Sequence, residues 1–444
     1  MTPAKLKTVT LGCKVNQYET EYVRQGLVNA GFFRDAAADE AADLCIINTC
    51  TVTNEGDSKS RQVVRRLARE NPDARLIVMG CYATRAPEEL AVLPNVVEVV
   101  TDKRELPDLL GRFGVVDVPD GISRFGDRHR AFIKVQDGCL LRCSYCIIPQ
   151  VRPEMNSRAA DQILAETQRV VANGYREIVL TGIHLGHYGV DHNRHVPKEQ
   201  WNRLSSLLRR MMDLPGDFRV RLSSIEATEV TRELLQVMAD HQDRICPHLH
   251  VCLQSGSDSV LRRMQRRWGA QRFIDRCRLV RDYLPQPALT TDVIVGFPGE
   301  TEAEFEQTCD VVRDVGFSKV HVFPFSARRG TPAATMPQQV DRGVIAERSR
   351  RLAEVECEQR FQYARSLRGR RLQVLVEAPT NDAQMPGIGT SCRYLPIRLH
   401  RGEPSQLVQA TVGEVEPDGT LRAAFVVGDV SEQASVESGV GSQR

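Results

Sequence analysis

The sequence predicts an α/β protein in three parts: an N-terminal parallel-sheet, Rossmann-like domain, a central partial (β/α)6 barrel, and a small C-terminal all-β barrel. Three observations carry this reading. The first hundred or so residues alternate strand and helix, a second alternating run follows over about 200 residues, and the chain then changes to short strands without helices. A length of 444 residues suits about three domains, each with its own core. With 41% apolar and 26% charged residues, the composition is that of a folded globular protein, not a disordered or collagen-like one.

Taken in order, segments 7–12, 43–48 and 75–80 read as buried strands, β-branched and bounded by Gly or Asn. Between them, 19–30 and 58–70 carry Leu, Val and Ala at helical spacing. Strands joined by crossover helices pair in parallel, which makes 1–105 one domain. Residues 106–128, rich in Gly, Pro, Asp and Arg, read as a linker. Six strands are then expected at 131–135, 177–181, 218–223, 249–253, 289–295 and 319–325. Helices are expected at 159–173, 198–213, 229–241, 257–283 with a break near Gly269, and 301–315. Such repeated units close into a barrel or an open sheet with its chemistry at the C-terminal strand ends. A charged helix over 341–367 trails this domain, expected over 129–364. RLQVLVE, YLPIRLH, QLVQATVGEVE and LRAAFVVG then read as a small β-barrel over 365–430, and 431–444 as a disordered tail.

Several function classes drop out early. No run of about 18 apolar residues exists, and MTPAKLKTVTLGCKVNQ has no apolar core of a signal peptide, so a cytoplasmic protein with no membrane partner is expected. Thiols are reduced there, and an odd count of 13 cysteines points to metal binding over disulfides. The net charge of +2 conceals any local patch.

The sharpest motif is Cys139-Leu-Leu-Arg-Cys143-Ser-Tyr-Cys146, immediately after the first barrel strand. Three thiolates at this spacing can ligate three irons of a cubane cluster, leaving one iron open to chelate S-adenosylmethionine (SAM), the signature of radical SAM enzymes. Zinc is the rival, but it needs a fourth ligand and none is adjacent. A second set is scattered: Cys13, Cys50 and Cys81 each sit just past one N-terminal strand. Ends of neighbouring parallel strands lie about 5 to 10 Å apart, so these three thiols converge. Cys45 lies within a strand and reads as core, and Cys246, Cys252, Cys277, Cys309, Cys357 and Cys392 also read as packing residues.

Together TLGCKVNQYET, INTCTVTNEGDSKSRQ, DGCLLRCSYCIIP, VLTGIHLGHYG, SSIEA, LQSGSDSVLRRM and DVIVGFPGET resemble the methylthiotransferase family of radical SAM enzymes. They are closest to the subgroup acting on threonylcarbamoyladenosine in tRNA. The resemblance is dense over 5–365 and weak beyond it. It implies that Cys13, Cys50 and Cys81 hold a second 4Fe-4S cluster carrying the sulfur to be inserted, while Cys139, Cys143 and Cys146 hold the cluster that cleaves SAM. One SAM would provide the methyl group and another the 5′-deoxyadenosyl radical, and the product would carry a methylthio group at C2 of the modified adenine at position 37. The C-terminal barrel, entered through Arg365, Arg368, Arg370 and Arg371, is similar to a TRAM domain that anchors tRNA. The anticodon arm of tRNA is the expected partner, with an electron donor and a sulfur source, and the protein is expected to be a monomer. The isopentenyl-type adenosine or a ribosomal-protein aspartate, the targets of sister subgroups, are alternative substrates. The non-enzymatic alternative is an iron-sulfur tRNA-binding or redox-sensing protein.

Other strand ends suit a SAM pocket. Asp292 to Glu300 runs from a strand into a Gly/Pro turn where Gly296, Pro298 and Gly299 let backbone approach a ligand, although Thr301 and Glu304 also suit a capping box. Thr181, Gly182, Ser223, Ser224, Glu226, Gln254, Ser255 and Gly256 occupy equivalent positions, and Tyr145 lies within the cysteine motif. Alternation puts His248, His250 and Cys252 on one strand face, which reads as barrel lining in preference to zinc. Pro153, where relatives carry Gly, suggests an altered loop around Arg152 and Arg158. Eight arginines between Arg262 and Arg281, and the stripe Lys59, Arg61, Arg65, Arg66, Arg69, read as phosphate-binding faces.

Overall fold

The computed structural model describes residues 2–427 except 127, 194, 195, 198, 199 and 383. The expected tail at 431–444 lies outside the described residues. In the N-terminal domain, β1 (Ala4–Thr10), β2 (Phe33–Asp35), β3 (Leu44–Thr49), β4 (Arg75–Gly80) and β5 (Val96–Val99) form one sheet in the order β2-β1-β3-β4-β5, with every pair parallel. The central strand β3 is buried along its whole length because helices cover both faces. Cys45 and Ile47 face a core shared with Val64 and Leu67 of helix Asn54–Glu70. Leu44 and Ile46 face Val23 and Leu27 of helix Lys14–Asn29. The edge strands β2 and β5 are too short and too exposed to have shown an apolar run.

The expected linker is not irregular throughout. Leu106–Arg112 is a helix whose Leu106, Leu109 and Leu110 join the N-terminal core. Pro107 sits in its first turn, where the missing N–H costs nothing. The apolar signal is three leucines within one turn and a half, too brief for periodicity to register.

The central barrel contains β6 (Arg130–Asp137), β7 (Asn156–Ser157), β8 (Glu177–Gly182), β9 (Arg219–Leu222), β10 (Ser224–Ile225), β11 (His248–Val251), β12 (Ala288–Val295) and β13 (Lys319–Pro324). Its two sheets run β7-β6-β8-β9 and β10-β11-β12-β13. β9 and β10 are one strand interrupted at Ser223, and a parallel bridge from Val220 to Ile245 joins the halves. Apart from the short antiparallel β7, the pairs are parallel. Thus six βα units form an open barrel, as expected. Helix Lys14–Asn29 of the N-terminal domain lies beside β6, where Tyr18 donates to Glu166 at 2.9 Å and Lys134 pairs with Glu19 at 2.8 Å.

The C-terminal strands β14 (Arg371–Pro379), β15 (Gly387–Ser391), β16 (Pro396–Leu399), β17 (Leu407–Val415) and β18 (Leu421–Val427) close into a barrel in the order β14-β15-β16-β18-β17. Closure leaves no free sheet edge. This small barrel is fastened to the large one by buried charge. Arg219 and Arg221 of β9 each turn Nε toward Glu177, at 2.7 and 2.9 Å. Their outer nitrogens donate to the carbonyls of Gln373, Thr390, Ser391 and Cys392 at 2.8 to 3.2 Å. Burial alone would push the Glu177 carboxyl up, but Arg221 and Arg219 hold it well below the usual range. No helix among the described residues is long and apolar enough to cross a membrane.

Removing one partner of a buried ion cluster leaves the others uncompensated, at a cost of about 3–5 kcal/mol. Glu177→Gln should lower the thermal midpoint and expose the 365–371 junction to limited proteolysis, whereas a Gln on exposed Glu347 should do neither. Because the folded-state pKa is depressed, the stabilisation is complete above the ordinary Glu value of about 4.3 and is lost as pH falls from there toward the depressed value. A pH series of melting curves on the two proteins checks the sign.

Candidate active site

The first triad is built by strand ends. Cys13 follows β1 through Gly12, Cys50 follows β3, and Cys81 follows β4. Gly12 has φ +100°, and a Cβ there would crowd the Cys50 Sγ at 3.1 Å. Gly80 has φ +102°, and a Cβ there would overlap Asn48 and the Thr49 backbone. Both positions therefore require glycine. Asn16 ties the strand ends together, donating to the carbonyls of Leu11 and Thr49 at 2.9 and 3.1 Å. Cys13 is reached by water, yet the protein around it pushes its thiol up, as burial pushes Cys50 to about 11. The charge of Cys81 raises Cys13 further, and those of Cys81 and Cys13 raise Cys50. Such thiols ionise together only against a cation, which is what a metal cluster supplies.

The second triad occupies the loop after β6. Gly138 has φ +76°, and a Cβ there would overlap the Glu154 carbonyl, so the loop folds back directly over it. Cys139 N–H donates to the Arg152 carbonyl at 3.2 Å and Cys146 N–H to the Cys143 carbonyl at 3.1 Å. Ser144 is fixed on helix Asp258–Arg263 and its end, with its Oγ donating to the Arg263 carbonyl at 2.7 Å and its N–H to that of Met264 at 3.1 Å. Burial pushes Cys143 up and Cys146 to about 12. The two triads meet: Cys81 packs against Ile147 and Val151, the residues just beyond Cys146. Each triad also receives one guanidinium N–H. Arg152 Nε lies 3.3 Å from Cys81 Sγ, and Arg266 Nη1 lies 3.4 Å from Cys143 Sγ. Donors aimed at sulfur favour the thiolate, so both sites fit clusters ligated by three cysteines.

The remaining expected residues divide. Tyr145 packs with Val260, Met264 and Phe297 and so joins the cysteine loop to the end of β12. Glu226 pairs with Arg266, and Ser224 is exposed at the break between β9 and β10. Gln254, at φ +68°, exchanges backbone hydrogen bonds with Asp292 and Ile294 at 2.9 Å. Asp292 Oδ1 stands 3.3 Å from His250 Nε2, and the ligand atoms of His250, Cys252 and Asp292 lie within 4.8 Å of one another. Thr181 is buried at the end of β8, and beside Gly182 a Cβ would come within 3.0 Å of Gln136. Ser255 and Gly256 do not line the mouth: Thr308 of helix Glu302–Val315 hydrogen-bonds both, and a Cβ on Gly256 would collide with that helix. Gly296 also serves architecture. The space beside it is taken by Ile345 of helix Arg342–Ser366, and its N–H donates to Glu300 at 2.7 Å, which pairs with Arg348 at 3.1 Å. Next to Pro298 and Gly299, Thr301 and Glu304 form the expected capping box.

Three groups were not legible. Arg152 joins Glu19, Asp137, Lys134 and Asn16 in a buried node between the domains. Arg328, four residues beyond β13, reaches Thr51, Asn54 and Asp57 at 2.5 to 2.7 Å and so clamps the loop that follows Cys50. His184 stacks on His187 and pairs with Glu229, with its Nδ1 3.8 Å from Cys139 Sγ. In the sequence Arg152 draws notice only through its neighbour Pro153, and Arg328 is a lone arginine beyond a strand end.

The arginine run is divided between internal partners and the surface. Arg263 holds Glu304, Arg266 holds Glu226 and Cys143, Arg278 holds Asp314, and Arg276 and Arg281 donate to backbone carbonyls. Arg263, Arg266 and Arg276 are part-buried by these contacts, while Arg262, Arg267, Arg272, Arg278 and Arg281 lie on the exposed side. Cys357 is also corrected: it is exposed on its helix, not a packing residue.

Residues 5–102 match the Uncharacterized protein family UPF0004, and 133–312 match the Radical SAM superfamily. The chain is 42% identical over 408 residues to the threonylcarbamoyladenosine tRNA methylthiotransferase MtaB of Bacillus subtilis, covering 87% of this chain and 88% of that one. It is 34% identical over 434 residues to the tRNA-2-methylthio-N(6)-dimethylallyladenosine synthase of Mycobacterium ulcerans, covering 92% and 81%. In fold it is similar to the radical S-adenosylmethionine methyltransferase TsrM of Kitasatospora setae, with a TM-score of 0.54 at 15% identity over 74% of this chain and 77% of that one. Two cysteine triads at strand ends, one of them on a radical SAM barrel, and relatives of this identity along nearly the whole chain lead to one conclusion: the chain belongs to the radical SAM tRNA methylthiotransferases.

Proposed function

We propose that the chain methylthiolates C2 of N6-threonylcarbamoyladenosine at tRNA position 37, with a 4Fe-4S cluster at each cysteine triad and SAM as both methyl donor and radical source. The observation that carries the reading is the contact of Cys81 with the loop of Cys139, Cys143 and Cys146, which puts a second cysteine triad beside the SAM-cleaving one. When bound, the barrel cluster supplies the electron that splits SAM reductively, and the N-terminal cluster holds the sulfur to be transferred. The chain's own part is positioning. The Gly138 turn and the Ser144 anchor present the barrel thiols, while Gly12, Gly80 and Asn16 present the others. Tyr145, backed by the buried Phe297, offers an apolar wall to the SAM adenine, and Glu226, Gln254 and Asp292 offer acceptors to hydroxyl and amino groups at the mouth. The threonylcarbamoyl substrate is favoured by the higher identity to relatives named for it; the 34% identity to a dimethylallyladenosine synthase supports the second reading.

Nucleoside mass spectrometry of tRNA decides between them. Cells lacking the gene should lose the methylthio form of threonylcarbamoyladenosine and accumulate its precursor; loss of the methylthio form of the isopentenyl-type nucleoside instead would overturn the assignment. The cluster count is a separate test. The reconstituted chain should hold about eight irons, four per cluster. Cys13→Ala with Cys50→Ala should halve this, abolish methylthiolation and leave reductive formation of 5′-deoxyadenosine; a single cluster in the unaltered chain would sink the mechanism.

A further inference from the structure

We infer that Arg152 bridges the two cysteine triads and, through its bond to Cys81, sets the reduction potential of the N-terminal one; this rests on the two-cluster reading above. Arg152 lies six residues beyond Cys146 and so belongs to the barrel's cysteine loop. Its carbonyl accepts from Cys139 N–H at 3.2 Å, and its Nε donates to Cys81 Sγ at 3.3 Å. One residue thus touches a ligand of each triad.

The direction of that side chain leaves no freedom. Nη1 donates to Glu19 Oε1 and Asp137 at 2.8 Å, and Nη2 donates to Glu19 Oε2 at 2.8 Å and Asn16 Oδ1 at 3.0 Å. A guanidinium has five N–H groups, and with four committed to these oxygens the fifth, on Nε, can only point at sulfur. The side chain is 1% exposed, so water does not compete for it. A charge-assisted N–H bond to a ligand sulfur draws electron density from the cluster and stabilises its reduced, more negative form. Lys134, paired with Glu19 and Asp137 at 2.8 and 2.6 Å, offsets one carboxylate and Arg152 the other, so the node is neutral overall and it is the Nε–H bond itself that acts on the sulfur.

The test uses the full chain carrying Cys139→Ala, Cys143→Ala and Cys146→Ala, so that only the N-terminal triad can hold iron. About four irons per chain are expected; no iron refutes the two-cluster reading, and this inference with it. In that background, potentiometric titration followed by electron paramagnetic resonance should show that Arg152→Met makes reduction at least tenfold less favourable, a shift of 59 mV to lower potential for a one-electron couple. Arg152→Lys keeps the charge but loses the Nε–H, and should move the midpoint in the same direction by less. Four irons with an unchanged midpoint in either variant overturn the inference, and the lysine variant carries the test alone if the methionine variant does not fold. In the complementary chain lacking Cys13, Cys50 and Cys81, where only the Arg152 carbonyl touches the remaining triad, the same substitutions should leave the midpoint in place. An equal shift there would mean a general loosening of the fold and would also overturn the inference.

Discussion

The buried ion cluster between the N-terminal sheet and the barrel fixes the relation of the two cysteine triads. Glu19 comes from the helix after β1, Lys134 and Asp137 from β6, and Arg152 from the loop of the barrel motif. Taking such ions out of water costs several kcal/mol apiece, and only close pairing offsets it. Burial alone would raise the carboxyls of Glu19 and Asp137, yet Arg152 and Lys134 hold both below the usual range. A displacement of one domain by a few ångströms would strand all four charges at once. The seam is therefore well specified in geometry, and with it the relation of the two cysteine triads. Arg328 repeats the device on the far side, pairing with Asp57 behind Cys50.

What the sequence made legible follows from which physics is local. Strand cores such as 44–49 and 75–80 are continuous apolar runs, and parallel pairing then forces Cys13, Cys50 and Cys81 together although 37 and 31 residues separate successive members. The CxxxCxxC spacing is local chemistry and needs no fold to be read. The Leu106–Arg112 helix was hidden because its stability comes from packing Leu110 against Gly26, a contact of distant residues. Arg152 and Arg328 were hidden for the same reason: an arginine in sequence does not disclose whether its partner is water, phosphate or a buried carboxylate.

The glycine turns show the same boundary. Gly12, Gly80 and Gly138 could be expected beside cysteines, and their positive φ and tight neighbours agree. Gly296 and Gly256 belong to motifs of equal prominence, yet the room they create is filled by Ile345 and by helix Glu302–Val315. A small residue announces a close approach without saying what approaches. Residues at the mouth are consequently better identified by their polar neighbours than by small size: Asp292 gathers with His250 and Cys252, whereas Glu300 is consumed by Arg348 and the Gly296 N–H.

The near balance of 59 basic and 57 acidic residues has a similar origin. Arg219, Arg221 and Glu177 fasten one barrel to the other, Arg152, Glu19 and Asp137 fasten the barrel to the sheet, and Arg266 with Glu226 braces the SAM-side cysteines. These arginines have close acidic partners, so much of their field is cancelled locally. The cations left over, such as Arg65 and Arg69 on helix Asn54–Glu70 and Arg262, Arg267 and Arg272 on the barrel domain, are exposed and free to act on a polyanion. Net charge thus understates the attraction, because charges that hold domains together enter the sum with the same weight as those that face a ligand. A chain that joins its domains by buried arginine–carboxylate pairs can keep an overall charge near zero and still present a basic surface.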